Sequence, residues 1–254
     1  MSVNETINGA YCGQPPAPSE WMGAWNMDWR LWLVLGAMLL AVRASAHPRY
    51  AVAGWVVLVV AFVSPLCALT AALFAARSVH HVLLVTIAAP LLGAAWPVWA
   101  QRLPAVWALL ATLVLLVLWH VPQVYAWAWH SHAVYWGLQL GLLVSASVFW
   151  SGTFSQVGRA HEHLGQRALA PLAHVAILAG CMGLIGAVLT FADDVLYPQH
   201  GMAPLLYGLQ PLQDQQLGAL LMWVVGLLPL ALIAACVLRQ MWRQAAQPVQ
   251  VAAG

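Results

Sequence analysis

Seven long apolar runs, broken by short polar stretches, dominate the chain: approximately 29–45, 50–75, 80–100, 104–120, 133–154, 168–191 and 215–238. Most of them reach the roughly 20 residues that an α-helix needs to cross a bilayer's hydrocarbon. Strands do not suit runs of this length, because only helices or closed barrels satisfy the backbone in lipid. The first and fourth runs are short, and their Trp-rich flanks are expected to complete the crossing. The pattern therefore predicts an all-α, polytopic membrane bundle of about seven transmembrane helices. Residues 1–28 form a polar, Pro-rich tail expected to be poorly ordered, 29–240 the transmembrane domain, and 241–254 a short cytoplasmic tail.

Composition agrees with a lipid-solvated chain: 63% of residues are apolar and only 6% are charged, against roughly a quarter in soluble domains. Lysine is absent, so all nine basic side chains are arginines. The net charge of +2 is too small to suggest nucleic acid as a partner.

Charge distribution sets the expected orientation. An outside N-terminus and a cytoplasmic C-terminus place Arg43, Arg49, Arg102, Arg159, Arg167, Arg239 and Arg243 inside, and only Arg30 and Arg77 outside. Asp28, Asp193, Asp194 and Asp214 then lie outside and Glu162 inside. Ala44-Ser45-Ala46 resembles a signal-peptidase site, but the segment before it is acidic and has no basic n-region.

The central parts of the runs carry no Asp, Glu, Lys or Arg, which disfavours an ion-coupled transporter. Gln139 is expected to make an interhelical hydrogen bond. Pro65, Pro90, Pro97 and Pro229 predict kinks. Cys67, Cys181 and Cys236 lie in apolar runs and read as small buried hydrophobes, while Cys12 sits in the tail with no evident partner.

Histidines supply the candidate chemistry. His80, His81, His120, His130, His132 and His200 fall at one membrane face, with Asp193, Asp194, Asp214, Tyr125 and Tyr197 at the same level. Imidazole and carboxylate together suit Cu(II) or zinc, and Cu(I) would want Met or Cys as well. The consecutive His80 and His81 point about 100° apart on a helix, so one is expected inward, His81 being favoured, and one at the headgroups. Pro122 should divert the chain just after His120, and Asp214 has the position of an N-cap for the seventh helix. His161-Glu162-His163 reads as a solvated loop, and His174 as a hydrogen-bonded core histidine. No GxSxG, Walker A, GxGxxG, HExxH or CxxCH occurs, which leaves hydrolase, NTPase, dinucleotide, zincin and c-type haem functions without an anchor.

Four stretches carry a family resemblance: Ala76-Arg77-Ser78-Val79-His80-His81-Val82-Leu83-Leu84 with Ala89-Pro90-Leu91-Leu92; Trp119-His120-Val121-Pro122-Gln123-Val124-Tyr125; Phe149-Trp150; and Asp214-Gln215-Gln216-Leu217-Gly218-Ala219-Leu220-Leu221-Met222-Trp223. Across roughly residues 30–240 the chain resembles the CtaG-type cytochrome c oxidase assembly factors, seven-helix proteins of the bacterial inner membrane linked to copper-containing oxidases. The resemblance implies a non-catalytic, chaperone-like assembly factor that helps deliver copper to cytochrome c oxidase subunits. Its implied metal ligands are His81, His120 and Asp214, with His80 and Asp194 as further candidates. Two positions depart from the family's pattern: Arg77 stands where a histidine is usual, and Leu138-Gln139 where an acidic-His pair is common. A b-haem electron carrier, a copper transporter and a metal-free scaffold are the alternatives.

Overall fold

The computed structural model describes residues 9–97, 104–158 and 169–245. Arg102, Arg159, Arg167 and the His161-Glu162-His163 loop lie outside the described residues. Each apolar run becomes helix, and no strand occurs among the described residues. The elements are α1 (Trp29–Ala41), α2 (Pro48–Phe62), α3 (Pro65–Ala72), α4 (Phe74–Ala95), α5 (Ala105–His120), α6 (Pro122–His130), α7 (His132–Val157), α8 (Ala170–Thr190) and α9 (Pro211–Arg243).

Of these, α4, α7, α8 and α9 are each long and apolar enough to cross a membrane, and the bent pairs α2–α3 and α5–α6 pass the same test as pairs. Helix α1 has only 13 residues, or about 20 Å at 1.5 Å per residue, short of a hydrocarbon core of about 30 Å.

Prolines set the bends. The α2–α3 pair bends by 44° where Ser64 caps α3 through Leu66 N–H and Pro65 takes the first helical position. The α5–α6 pair bends by 81° at Pro122, as the sequence leads one to expect. Helices α4 and α9 continue through a π-helical turn instead, Leu84–Ala88 before Pro90 and Leu221–Val225 before Pro229. Each proline lacks the N–H that would bond the carbonyl four residues earlier, and a widened turn places that carbonyl where the ring does not strike it. In α4 the turn also frees Val85 O to accept from the Trp150 indole at 2.9 Å.

Helix α4 is the hub. Its apolar window is 72% buried, against 22–39% for the other single spans. It packs on α2, α7 and the first half of α9, while α7 also lies along α5, and α8 against α9.

The N-terminal tail departs from expectation. Cys12 is disulfide-bonded to Cys67 at the start of α3, so neither is the isolated cysteine its local sequence suggests. A separation of 55 residues and the absence of any short cysteine motif hid the pair. Residues 9–28 are laid over one end of the bundle rather than left loose. Tyr11 donates to Asp28 at 2.7 Å and stacks on Tyr135, Asn26 donates to Phe62 O at the α2–α3 bend, and Tyr207 donates to Pro16 O. The Tyr11 hydroxyl holds the Asp28 carboxyl below its ordinary range. Opening the disulfide with a dithiol, or replacing Cys12 by Ser, is expected to destabilise the fold by about 2–4 kcal/mol. Thermal unfolding in nanodiscs with and without the dithiol measures this; an unchanged midpoint would show that the tail stays in place without its bond.

Candidate functional site

The tail-covered end of the bundle gathers the histidines. His80 and His81 lie about two turns into α4, and both are buried. The expectation that one would face the headgroups is corrected, because α4 runs through the bundle centre and meets protein on every side at this level. His80 Nδ1 pairs with the Gln139 amide at 3.2 Å and its ring meets Phe62 edge-on. Gln139 thus makes the interhelical contact expected of it, while His80 Nε2 has no hydrogen-bond partner.

His81 is barer: neither ring nitrogen has a hydrogen-bond partner, although the residue is 2% exposed. It lies against the Trp119 ring and 5.9 Å, ring to ring, from His120 at the end of α5. His120 Nδ1 lies 2.7 Å from Leu116 O. A carbonyl only accepts, so Nδ1 carries the proton and Nε2 keeps its lone pair. The break at Pro122 leaves the His120 carbonyl without a helical partner, and the Tyr197 hydroxyl donates to it at 2.8 Å.

Asp214 does not cap its own helix. It reaches from α9 to the start of α4, where Oδ2 accepts from Phe74 N–H at 2.6 Å and Oδ1 from Ala75 N–H at 3.1 Å. Leu73, the residue before α4, has no side chain able to do this, so the bare N–H groups and positive end of the central helix are met by a carboxylate 140 residues away in sequence. The rest of the Asp-Gln-Gln motif has equally local work. Gln215 accepts from Leu196 N–H and donates to Asp194 O, Gln216 donates to Ala192 O, and Gly218 lets α9 approach Phe74 and Ala75 closely. The Asp194 side chain is exposed. Among the described residues no group of three or more His, Cys, Asp or Glu could hold a metal ion, so Asp214 and Asp194 are not gathered with the histidines.

His200, on the loop after α8, is also buried, with Nε2 against the Tyr125 hydroxyl at 2.7 Å. Burial and then the nearby Arg77 charge push it down to about 3. An unfolded histidine titrates near 6.5, so acid protonates the unfolded chain first and stability is lost as pH falls from about 6.5 towards 3. His200→Gln is expected to flatten that acid limb while leaving the unfolding midpoint at pH 7.5 nearly in place; a limb of unchanged slope would assign the loss to other groups.

Arg77, expected in an external loop, lies inside α4 and is 3% exposed. Its guanidinium faces the rings of Trp119, Tyr125 and Tyr135 at 5.6–5.9 Å and donates once, to Thr70 O. His174, expected to be hydrogen-bonded, has no partner for Nδ1. The aromatic enclosure of Arg77 had one legible signal, an arginine one helical turn before His81 with no acidic residue near it in sequence.

No curated protein and no solved structure matches the chain. The sequence model of one family, cytochrome c oxidase caa3 assembly factor (Caa3_CtaG), matches residues 34–244, from within α1 to the end of α9. With most of its length matched and the quoted motifs packed around one central helix, the chain belongs to the cytochrome c oxidase caa3 assembly factor family.

Proposed function

We propose that this protein helps assemble a copper-containing cytochrome c oxidase by holding Cu(I) transiently between His81 and His120 and passing it to an oxidase subunit. The observation that carries this is the His81 ring: a buried imidazole with both nitrogens unpartnered, 5.9 Å from a second imidazole whose Nε2 lone pair is free. Buried polar atoms normally find partners, and two facing imidazoles suit copper. His80 Nε2, on a ring 6.0 Å from that of His81, is the nearest further donor. The Arg77 guanidinium, one turn from His81, opposes a dication twice as strongly as a monocation. That favours Cu(I) over Cu(II) or zinc, with the thioether or thiolate donor that Cu(I) also wants left to the client subunit.

Asp214 and Asp194 act in this proposal as supports, the first fixing the start of α4 and the second lending its carbonyl to Gln215. The half-buried His120 is the entry point for the metal. The Cys12–Cys67 bond favours an oxidising compartment for this end, hence the outer face of a bacterial inner membrane. The bundle docks on oxidase subunits through its lipid-facing side, without catalysing a reaction. A copper channel fits less well, since Cys67 is spent in the disulfide and cannot serve as a thiol step.

The test is copper analysis and an absorption spectrum on protein purified from copper-supplemented membranes. Near-stoichiometric copper in the native protein, lost in both His81→Ala and His120→Ala while the fold persists, is the expected result. Absence of copper from the native protein would overturn the proposal and leave a metal-free docking scaffold. A Soret band would replace it with haem binding.

A further inference from the structure

Arg77 is a full charge taken out of water with little to balance it. Its Nε and Nη1 have no hydrogen-bond partner, and its contacts are one carbonyl and three aromatic rings. Ring faces attract a guanidinium by about 0.5–2 kcal/mol each, whereas an ion moved into a protein interior loses several kcal/mol of hydration even after relaxation. Three rings return about 1.5–6 kcal/mol of that cost but give Nε and Nη1 no hydrogen-bond acceptor.

Two more buried donors stand unpartnered beside it. Trp119 Nε1 and the Tyr135 hydroxyl have no hydrogen-bond partner, and both residues are 2% exposed. Trp119 can only donate, and a tyrosine hydroxyl can donate. Arg77, Trp119 and Tyr135 line one cavity of about 10 Å³, closed by Ala10 and Tyr11 of the disulfide-held tail. The Tyr125 hydroxyl is already engaged with His200. No carboxylate lines the cavity; Tyr11, whose hydroxyl bonds Asp28, links it to one, and Asp214 lies one turn from Arg77 at the start of α4. A positive charge and a set of N–H and O–H donors, with tyrosine hydroxyls the only side-chain acceptors among them, suit the chemistry of a bound anion.

We infer that this cavity is a binding site for one small monatomic anion of the chloride class, held by Arg77 with Trp119 and Tyr135 under the N-terminal tail. Size supports the choice: the space admits about one particle of water's dimensions, which excludes sulfate, phosphate and carboxylates. A chloride ion is slightly larger than water, so the lining, the Tyr11 ring included, must give by a few tenths of an ångström to admit it. A water molecule could bond the same donors but would leave the guanidinium charge unbalanced. The anion offsets the Arg77 charge and seats the tail on the bundle. The site is independent of whether the His81–His120 pair binds copper.

The experiment is thermal unfolding of copper-free, full-length protein in nanodiscs, exchanging sodium gluconate for sodium chloride or bromide at fixed ionic strength. A saturable rise is expected with either halide, about 5 °C or more at a hundred times Kd. Arg77→Met, close in volume, should abolish the halide dependence. Should that variant fail to fold, Tyr135→Phe keeps the ring, removes one donor, and is expected to weaken halide affinity by roughly tenfold or more. Equal midpoints in gluconate and chloride would overturn the inference and assign the cavity to water. So would a chloride-induced rise of the same size in the native protein and in both variants, because that marks general surface screening.

Discussion

Replacing Asp214 by Ala is expected to destabilise the folded protein by about 3 kcal/mol or more. Two buried N–H groups, of Phe74 and Ala75, would lose a charged acceptor at 2.6 and 3.1 Å. No water reaches them to take its place, since Phe74 and Ala75 are both buried. The positive end of the central helix would stand bare as well. Asp214→Asn should fall between, since one oxygen still accepts but the amide group turns a donor towards a donor. Unfolding of copper-free protein in nanodiscs measures the effect and separates two roles: a pure metal ligand would leave the copper-free midpoint unchanged, and a clamp lowers it. Because His80 and His81 ride on the helix that Asp214 fixes, copper capacity is expected to fall in this variant as a consequence of position.

The second large effect is expected at the α4–α7 contact. A Cβ built on Gly93 would come within 2.7 Å of both Ser147 O and Ser151 N, which are backbone atoms of α7, and 3.0 Å from Trp150 Cβ. Backbone cannot swing aside as a flexible side chain would, so the helices must separate. Gly93→Ala is expected to cost about 1–3 kcal/mol, the usual range for overpacking, and Gly93→Leu to prevent accumulation of folded protein. Separation would also stretch the Trp150 indole bond to Val85 O and the Gln139 contact to His80. Gly137→Ala, on the same α7, is the control, because nothing lies within 4 Å of its added Cβ. A helix-interior Gly→Ala change there should be neutral or stabilising by up to about 1 kcal/mol. If Gly93→Ala and Gly137→Ala unfolded at the same temperature, close packing at Gly93 would not matter to stability.

The Asp-Gln-Gln motif teaches how far a motif can be taken. Read along the chain, Asp214 looks like an N-cap or a ligand, because nothing local says that the start of α4 lies beside it. In the fold five residues of the run have partners: Asp214 at α4, Gln215 and Gln216 on the 192–196 loop, Gly218 against Phe74, and Met222 in the core. The specificity of the run comes from tying three segments together. His81 and His120 run the other way, since their placement at one face was legible from hydropathy while their proximity was not.

The sequence by itself determined the helical architecture, the breaks at Pro65 and Pro122 and the family, since all three follow from local properties: apolar run length, proline's missing N–H and a linear motif. That α4 and α9 pass Pro90 and Pro229 by a widened turn was decided in the fold. The sequence also placed the histidines and Asp214 at one end of the bundle, because alternate crossings bring the ends of successive runs to the same face. Tertiary structure alone decided which of those residues touch. The Cys12–Cys67 bond, the Asp214 clamp, the His81–His120 pair and the ring-walled Arg77 join segments separated by as many as 140 residues. A hydropathy profile gives each helix a length and a face to bury but no neighbour, because lipid solvates every apolar face equally well; neighbours are chosen by close backbone approach and by buried polar atoms seeking partners.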